Sequence, residues 1–171
     1  MNGKKILITV ALLITNLLTF SNLYAIEVEG EVGGTWTIDD SPVSVVDTIF
    51  ISAEDTLIIE AGVLVEFSGP YALLVHGKLF AEGAEDDSIV FHPDEDNDLW
   101  CGVRSDSGAV INLNYCVFTD CIIGDEDNRI EGSTLFCQET ELIITNSSFS
   151  ETLGKQNTLF TLKEQKTILQ K

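Results

Sequence analysis

The amino-acid sequence predicts an all-β fold built from many short strands. Apolar and polar residues alternate over runs such as 63–67 and 71–75, and this period of two is typical of a half-buried strand. Glycine, proline and acidic residues separate the runs after only a few residues. The segment 56–93 contains four such runs and no helical period. Many short strands at close, even spacing indicate a β-repeat, a β-sandwich or a β-barrel.

The first 25 residues have the pattern of a secretory signal peptide (residues 1–25). Lys4 and Lys5 precede an apolar run at 6–20, and the segment ends in the small residue Ala25. This order predicts export with cleavage after Ala25. The apolar run is short for a transmembrane span. A lipoprotein anchor is disfavoured, because no cysteine lies near the cleavage site. We therefore expect a secreted protein, extracellular or at the cell surface, with the periplasm as the alternative and no membrane span after cleavage.

The body of the chain begins with a polar, glycine-containing lead-in at 26–34 and a first strand at 35–38. A turn at 39–42 and a second strand region at 43–51 complete this amino-terminal part. If the strands stack in parallel, as the resemblance described below implies, the stack needs a cap, because an open end exposes the core and unpaired backbone groups. Trp36 is the side chain that we expect to close this end.

The strands that follow predict a set of inward-facing side chains. Passes of the chain that pair in parallel lie about 4.8 Å apart, so equivalent residues of successive passes stack on one another. Each large apolar side chain buried in this way contributes about 1.5–3 kcal/mol. The predicted inward residues are Ile59, Val65, Leu73, Val75, Leu79, Ile89, Phe91, Ile111, Leu113, Phe118, Ile144 and Phe149.

Two pairs of segments recur at a single spacing. Residues 113–120 (LNYCVFTD) align with residues 144–151 (ITNSSFSE), 31 positions later. The acidic turn DEDN at 94–97 recurs at 125–128, again 31 positions later. Two independent matches at one offset indicate a repeat in which one pass of the chain is lengthened by a protruding loop.

Four segments resemble the amino-terminal part of secreted bacterial right-handed parallel β-helix proteins of the pectate-lyase-like superfamily. The segments are TLIIEAGVLVEF at 56–67, LLVHGKLFAEG at 73–83, SIVF at 88–91 and WCGV at 100–103. The resemblance as a whole extends over residues 34–149. It is specific for the fold, because the segments carry the inward positions and the turns of the family pattern.

The resemblance implies a right-handed, single-stranded parallel β-helix over residues 26–154, a solenoid with short coils and an amino-terminal cap. Ala61 and Ser88 stand where the family often has proline, which weakens the turns without changing the pattern. The resemblance implies little about activity, because the superfamily contains lyases, hydrolases, adhesins and inert scaffolds.

Enzymes of this superfamily need catalytic side chains, and the sequence contains few of them. The lyases bind calcium through carboxylates and use a basic residue to remove a proton next to a uronate; Arg104 and Lys78 are the candidates here. The hydrolases need clustered aspartates in a cleft and an Arg-x-Lys element, whereas the aspartates at 86–87 fall in a predicted turn and no Arg-x-Lys occurs. His76 and His92 have no serine or cysteine at a spacing typical of a nucleophilic triad. No catalytic residue is therefore predicted.

The charge is concentrated in the body of the chain. The whole sequence has a net charge of −19, but residues 26–154 hold 27 acidic and three basic residues, a formal charge of −24. A field of this sign repels nucleic acid, anionic lipid and polyuronate. It favours solubility and cation binding, and it excludes nucleic acid as a partner. Extracellular polysaccharide or cell-surface components are the partners that the family resemblance implies.

The acidic turns at 94–98 and 125–128 are the candidate cation sites. Carboxylates at alternate positions can converge on one hard cation, as in the first half of an EF-hand loop. The full EF-hand pattern fails, because Leu99 and Ser105 occupy the positions that require glycine and glutamate. The alternative is a pair of solvated acidic turns. The candidate calcium ligands are Asp94, Asp96, Asp98, Asp125 and Asp127.

Four cysteines, Cys101, Cys116, Cys121 and Cys137, leave two possibilities open. In an exported chain they can form two disulfides with three possible connectivities. They can equally be stacked core thiols, because cysteine is a small apolar residue that packs well inside a β-fold. Their spacing fits no tight zinc pattern.

The composition changes after residue 154. Residues 155–171 are rich in lysine, nearly free of acidic residues and without the glycine turns of the body. One interpretation is a small carboxy-terminal cap with Leu159, Leu162 and Leu169 on one helical face. The other is a truncated or out-of-frame tail, because members of the family usually continue for many more coils.

The sequence as a whole favours an exported, non-catalytic β-helix module. We expect it to act as a scaffold or as an adhesin-like surface-interaction module within a longer protein. The alternative is a carbohydrate-active lyase or hydrolase of the β-helix superfamily. Calcium is the candidate cofactor for both of these functions.

Overall fold

The computed structural model describes residues 25–96, 99–122, 134–149, 152–153, 160–163 and 166–170. This part of the chain is all-β: it contains one short 3-10 turn, Ile38–Asp40, and no α-helix. The strands are β1 (Ile26–Glu31), β2 (Gly34–Trp36), β3 (Val43–Ile51), β4 (Thr56–Glu60), β5 (Leu64–Phe67), β6 (Leu73–Val75), β7 (Lys78–Glu82), β8 (Ile89–Pro93), β9 (Val103–Ser105), β10 (Val110–Asn114), β11 (Cys116–Phe118), β12 (Cys121–Ile122), β13 (Leu135–Gln138), β14 (Glu141–Thr145), β15 (Ser148–Phe149), β16 (Thr152–Leu153), β17 (Phe160–Lys163) and β18 (Lys166–Gln170).

Every pairing between these strands is parallel. Sheet A contains ten strands in the order β15-β11-β8-β5-β3-β6-β9-β13-β17, with β1 on β3. Sheet B contains six, β18-β14-β10-β7-β4-β2, and β12 pairs with β16 in a third, two-stranded sheet. Two parallel strands that pair cannot be joined by a tight turn, so the chain leaves each sheet and returns to it after passing through the other. The arrangement is compatible with a β-helix-like solenoid.

Strand β3 determines how sheet A divides. Its first half, from Val43 to Val45, pairs with β5, and its second half, from Ile49 to Ile51, pairs with β6. Strands β8, β11 and β15 then continue from β5, and strands β9, β13 and β17 continue from β6. Sheet A therefore consists of two runs of strands that share β3, and sheet B forms a separate run.

The strand register brings the aligned segments of the sequence side by side. In sheet B, Leu113 is the Cα partner of Ile144, 31 residues later. In sheet A, Phe118 is the Cα partner of Phe149, at the same offset. The turns between these strands also match, because Tyr115 and Asn146 both have a left-handed backbone, with φ of 49° and 50°.

The predicted inward side chains form the core. Eleven of the twelve are buried, and the twelfth, Phe149, is half-buried and packs against them. Trp36 is buried as predicted, with 6% of its surface exposed. Within the core, Phe91, Phe118 and Phe149 form a stack with ring centroids 4.6 and 4.7 Å apart. Trp100 stacks on Phe67 at 4.1 Å and places a second aromatic pair beside this stack.

One tight turn of the fold requires glycine. A Cβ atom on Gly77 would lie 2.1 Å from the carbonyl oxygen of Ser52 and 2.4 Å from that of Asp55. Gly77 follows β6 and precedes β7, so it brings the chain close to the preceding pass where it leaves sheet A for sheet B. The backbone approach leaves no room for a side chain.

Two predictions about secondary structure are wrong, and so is one of the two interpretations of the tail. The lead-in at 26–34 contains strand β1, because Ile26 and Val28 pack on the core while the backbone pairs with β3. The predicted first strand at 35–38 ends at Trp36, and a 3-10 turn follows in which the Asp40 carboxylate accepts a hydrogen bond from the backbone N–H of Thr37 at 2.8 Å. The helical interpretation of 155–171 fails because β17 and β18 pair with β13 and β14, whose edges supply the backbone partners.

Some predicted features lie outside the described residues. They include nearly all of the signal peptide (1–24), the turn at 125–128 and the side chains of the tail. Among the residues that are described, the structure has no helix long and apolar enough to span a membrane.

Candidate interaction surface

The outer face of sheet B carries a column of apolar side chains at equivalent positions. Ile58 on β4 is the Cα partner of Phe80 on β7, which pairs with Asn112 on β10 and through it with Ile143 on β14. Ile58 is 38% exposed, and the other three residues are half-buried. We call Ile58, Phe80 and Ile143 the apolar column.

A row of carboxylates borders the apolar column on one side. Glu60 and Glu82 are Cα partners two residues further along β4 and β7, and both are exposed. The turn that follows β7 adds the exposed residues Glu85, Asp86 and Asp87, and the backbone N–H of Gly62 donates to the Asp87 carbonyl at 3.0 Å. This hydrogen bond holds the turn next to the end of β4. We call these five acidic residues (Glu60, Glu82, Glu85, Asp86 and Asp87) the acidic edge.

The other border of the apolar column is electrically mixed. It consists of Thr56, Lys78, Val110 and Glu141, which occupy one outward row across β4, β7, β10 and β14. The surface is therefore asymmetric, with negative charge concentrated on one flank. Ile38, which is 58% exposed, adds apolar surface at the acidic flank, where its Cδ1 atom lies against Gly62.

The predicted catalytic candidates occupy other positions. His76 and Asp106, 30 residues apart, share a hydrogen bond of 2.8 Å between Nδ1 and Oδ2 at the corner that follows β6 and β9. The side chains are 43% and 58% exposed, so solvent screens the pair. In the next turn the Ser107 hydroxyl donates to Glu139 at 2.8 Å. The corner is a ladder of polar contacts between successive passes of the chain.

Arg104 lies at the outward position of β9 and is half-buried. Its Cα partners are Leu74 and Phe136, and its Nη1 group donates to the carbonyl of Val103 at 3.0 Å. Burial lowers the pKa of Arg104, and nearby thiols oppose part of this effect. Lys78, the other candidate base, is exposed on sheet B. His92 lies on the outer face of sheet A with its Nε2 atom 3.6 Å from the Glu66 carboxylate.

The four cysteines are buried thiols rather than disulfides. The Cys116 thiol donates weakly to the carbonyl of Ala81 at 3.5 Å, and Cys137 is the Cα partner of the buried Ser105. Burial raises the pKa of Cys116 and Cys121 to about 12, raises that of Cys137 to about 11 and raises that of Cys101. A raised pKa suppresses the reactive thiolate, so these side chains act as core residues.

The candidate calcium ligands are only partly described. Asp94 follows β8, and its carboxylate accepts a hydrogen bond from the backbone N–H of Asp96 at 3.1 Å. Asp98, Asp125 and Asp127 lie outside the described residues. In the described part of the chain, no three histidine, cysteine or acidic side chains are grouped so as to hold a metal ion. The calcium site remains a prediction.

Sequence reasoning missed the apolar column and the His76–Asp106 pair. Ile58 could have been found, because Leu57 and Ile59 on either side point inward and the alternation therefore turns Ile58 outward. The histidine–aspartate pair has no local signal, because only the parallel stacking of β6 and β9 brings the two turns together.

Comparison with known proteins gives no matching family model, no matching curated protein and no matching solved structure.

Proposed function

We propose that the chain is a right-handed, single-stranded parallel β-helix of the pectate-lyase-like type, exported and without catalytic activity. It acts as a scaffold or surface-interaction module of a longer protein, outside the cell or at its surface. The parallel pairing of every strand and the family-like segments of the sequence support the fold. The signal-peptide pattern of residues 1–25 supports export.

The observation that carries the interaction role is the outer face of sheet B. Apolar side chains occupy the same outward position on β4, β7 and β14, although the core on the other side of the sheet already contains its own apolar residues. Ile58 and Phe80 are neighbours in this register, and Ile143 lies one strand beyond Asn112, so the face carries apolar surface that water solvates poorly. A surface of this kind is typical of a protein that binds another molecule.

The polar side chains of the described chain support a structural role. His76 and Asp106 form an exposed contact between two turns, and the four cysteine thiols, whose pKa values are raised, are buried in the core. A catalytic nucleophile needs a lowered pKa, whereas burial raises the pKa of Cys116 and Cys121 to about 12. These groups are therefore suited to packing and not to covalent chemistry.

One observation favours the alternative, a carbohydrate-active lyase or hydrolase. Burial lowers the pKa of Arg104, and a basic catalyst needs a pKa closer to neutrality than that of free arginine. The position of Arg104 between Leu74 and Phe136 argues the other way, because a base must reach the substrate proton. We therefore place the non-catalytic function first.

Calcium is part of the proposal as a structural ion. The carboxylates of Asp94, Asp96 and Asp98 would bind it together with those of the second DEDN turn, Asp125 and Asp127. Oxygen ligands from two acidic turns suit calcium, which accepts six to eight of them in flexible geometry. The ion would offset part of the −24 charge of residues 26–154.

The test combines stability and turnover in the same buffers. We expect a cooperative thermal transition of the exported protein, followed by circular dichroism, whose midpoint rises with millimolar calcium and falls with a chelator. We expect no cleavage of uronate or neutral polysaccharides in either buffer. Release of unsaturated or reducing products would overturn the non-catalytic assignment, and loss of the products in Arg104→Ala would identify the base. An unchanged midpoint would remove calcium from the proposal.

A further inference from the structure

We propose that the outer face of sheet B binds a cationic amphipathic helix of a partner protein. The proposal rests on the interaction role proposed above and names the partner for this surface. The apolar column supplies the contact area, and the acidic edge determines the sign of the partner's charge. Three features of the surface lead to this partner.

The first feature is the apolar pattern of the strands. The sequences TLIIE of β4, KLFAE of β7 and ELIIT of β14 have apolar residues at three consecutive central positions. In parallel sheets, strands that are apolar on both sides are typical of sheets covered on both faces. The inner face of sheet B is covered by the core, whereas Ile58 remains 38% exposed. A partner that covers the outer face would complete the burial.

The second feature is the spacing of the column. Neighbouring strands lie about 4.8 Å apart, and an α-helix advances about 5.4 Å per turn. A helix laid across the strands can therefore place one side chain on each strand over a few turns. Residues at i, i+4 and i+11 of such a helix lie on one stripe and would meet Ile58, Phe80 and Ile143, with a polar residue opposite Asn112.

The third feature is the charge of the flank. The acidic edge flanks the part of the apolar column on β4 and β7, where Glu60 and Glu82 lie two residues along their strands from Ile58 and Phe80, a distance of about 6.7 Å. A row of Lys or Arg beside the apolar stripe of a helix would meet these carboxylates. Electrostatic complementarity of this kind sets specificity and accelerates association.

The same charge argues against a second copy of this chain as the partner. Residues 26–154 carry a formal charge of −24, so two copies repel each other at long range. Anionic lipid is disfavoured for the same reason.

The experiment measures binding of a labelled 18-residue peptide to the purified exported protein by fluorescence anisotropy. The peptide has a leucine stripe flanked by lysines, and a matched peptide has glutamate in place of each lysine. We expect the lysine peptide to bind with an affinity that falls as salt is raised, and the glutamate peptide to bind at least tenfold more weakly.

Two double variants locate the surface. Ile58→Thr with Phe80→Thr is expected to weaken binding at least tenfold. Glu60→Gln with Glu82→Gln is expected to weaken binding about tenfold at low salt and to flatten the salt dependence. The matched control is Glu27→Gln with Glu29→Gln, which removes the same two charges from exposed positions of β1 and should leave the affinity within twofold. The charge variants keep the test valid if the threonine variant fails to fold.

Three outcomes would overturn the inference. The first is equal binding of the lysine and glutamate peptides. The second is an equal loss of affinity in the Glu60/Glu82 and Glu27/Glu29 variants, which reports net charge alone. The third is a dimer in sedimentation analysis that is lost in the threonine variant, because the surface would then bind a second copy. None of these readouts measures polysaccharide cleavage, so a failure here is distinguishable from a failure of the non-catalytic assignment.

Discussion

Replacing Phe118 by alanine tests the aromatic stack directly. Phe118 is 1% exposed, and its ring lies 4.6 Å from that of Phe91 and 4.7 Å from that of Phe149, nearly parallel to both. Loss of a buried phenylalanine side chain costs about 3–5 kcal/mol through lost burial and the remaining cavity. The two ring contacts account for about 0.5–1.5 kcal/mol each of that cost. For a chain of this size the melting temperature should fall by roughly 6–20 °C.

The assay is urea and thermal unfolding followed by circular dichroism, with Val117→Ala as the control. Val117 is the adjacent residue of β11 and points outward, so its truncation should cost about 1 kcal/mol or less. If Val117→Ala were the more destabilising substitution, the register of β11 against β8 and β15 would be wrong by one residue. A slip of one residue turns Val117 into the core and Phe118 out of it.

Two further predictions follow from the tight turns and the buried thiols. Gly77→Ala should lower the free energy of unfolding by about 1–3 kcal/mol, because its Cβ atom would lie 2.1 Å from the Ser52 carbonyl oxygen. Gly33→Ala is the control, because its Cβ atom would meet other atoms only at 3.5 Å or beyond. Equal urea midpoints for the two variants would contradict the tight turn at Gly77. Burial raises the pKa of Cys116 and Cys121 from the usual 9.0 to about 12, so the folded state keeps protons that the unfolded state loses. The contribution of these protonated thiols to the free energy of unfolding should therefore be fully present below pH 9 and be lost between pH 9 and 12. Unfolding experiments across that range should show a weaker pH dependence for Cys116→Ala, and identical slopes would refute the assignment.

The side chains that face the core could be predicted from the sequence. The period of two specifies the side of each strand that a residue occupies, and Phe91, Phe118 and Phe149 accordingly meet in one stack. The alignment at an offset of 31 residues also anticipates which strands are neighbours, because Leu113 and Ile144 are Cα partners. Both signals are repeated in several passes of the chain, so a single irregular residue does not hide them.

The ends of the fold could not be predicted in the same way. The segment IEVEGE of β1 alternates like a strand, but its three glutamates and its glycine lower its intrinsic strand propensity. Its strand conformation depends on β3, which pairs with it along both halves. Strands β17 and β18, with one lysine each, likewise form on the edges of β13 and β14. In both cases a neighbour far along the chain outweighs local preference.

The contacts between separate passes of the chain were hidden for a different reason. His76 and Asp106 are joined only because β6 and β9 are neighbours, and no spacing rule relates residues 30 positions apart in turns of unequal length. The exposed carboxylates of the acidic edge are separate features in the sequence, at 60, 82 and 85–87. They become one flank only when β4 and β7 pair.

The outer face of sheet B is difficult to explain by folding alone. Leu57, Ile59 and Leu79 already supply the inward side chains of β4 and β7, and each is fully buried. Ile58 and Phe80 add apolar surface on the opposite side, where a polar residue would serve solubility better. Such residues raise the risk of aggregation, which the neighbouring carboxylates reduce through their charge. An apolar column beside an acidic edge suits the cationic partner proposed above, because such a partner gains from both features while a neutral or anionic one does not.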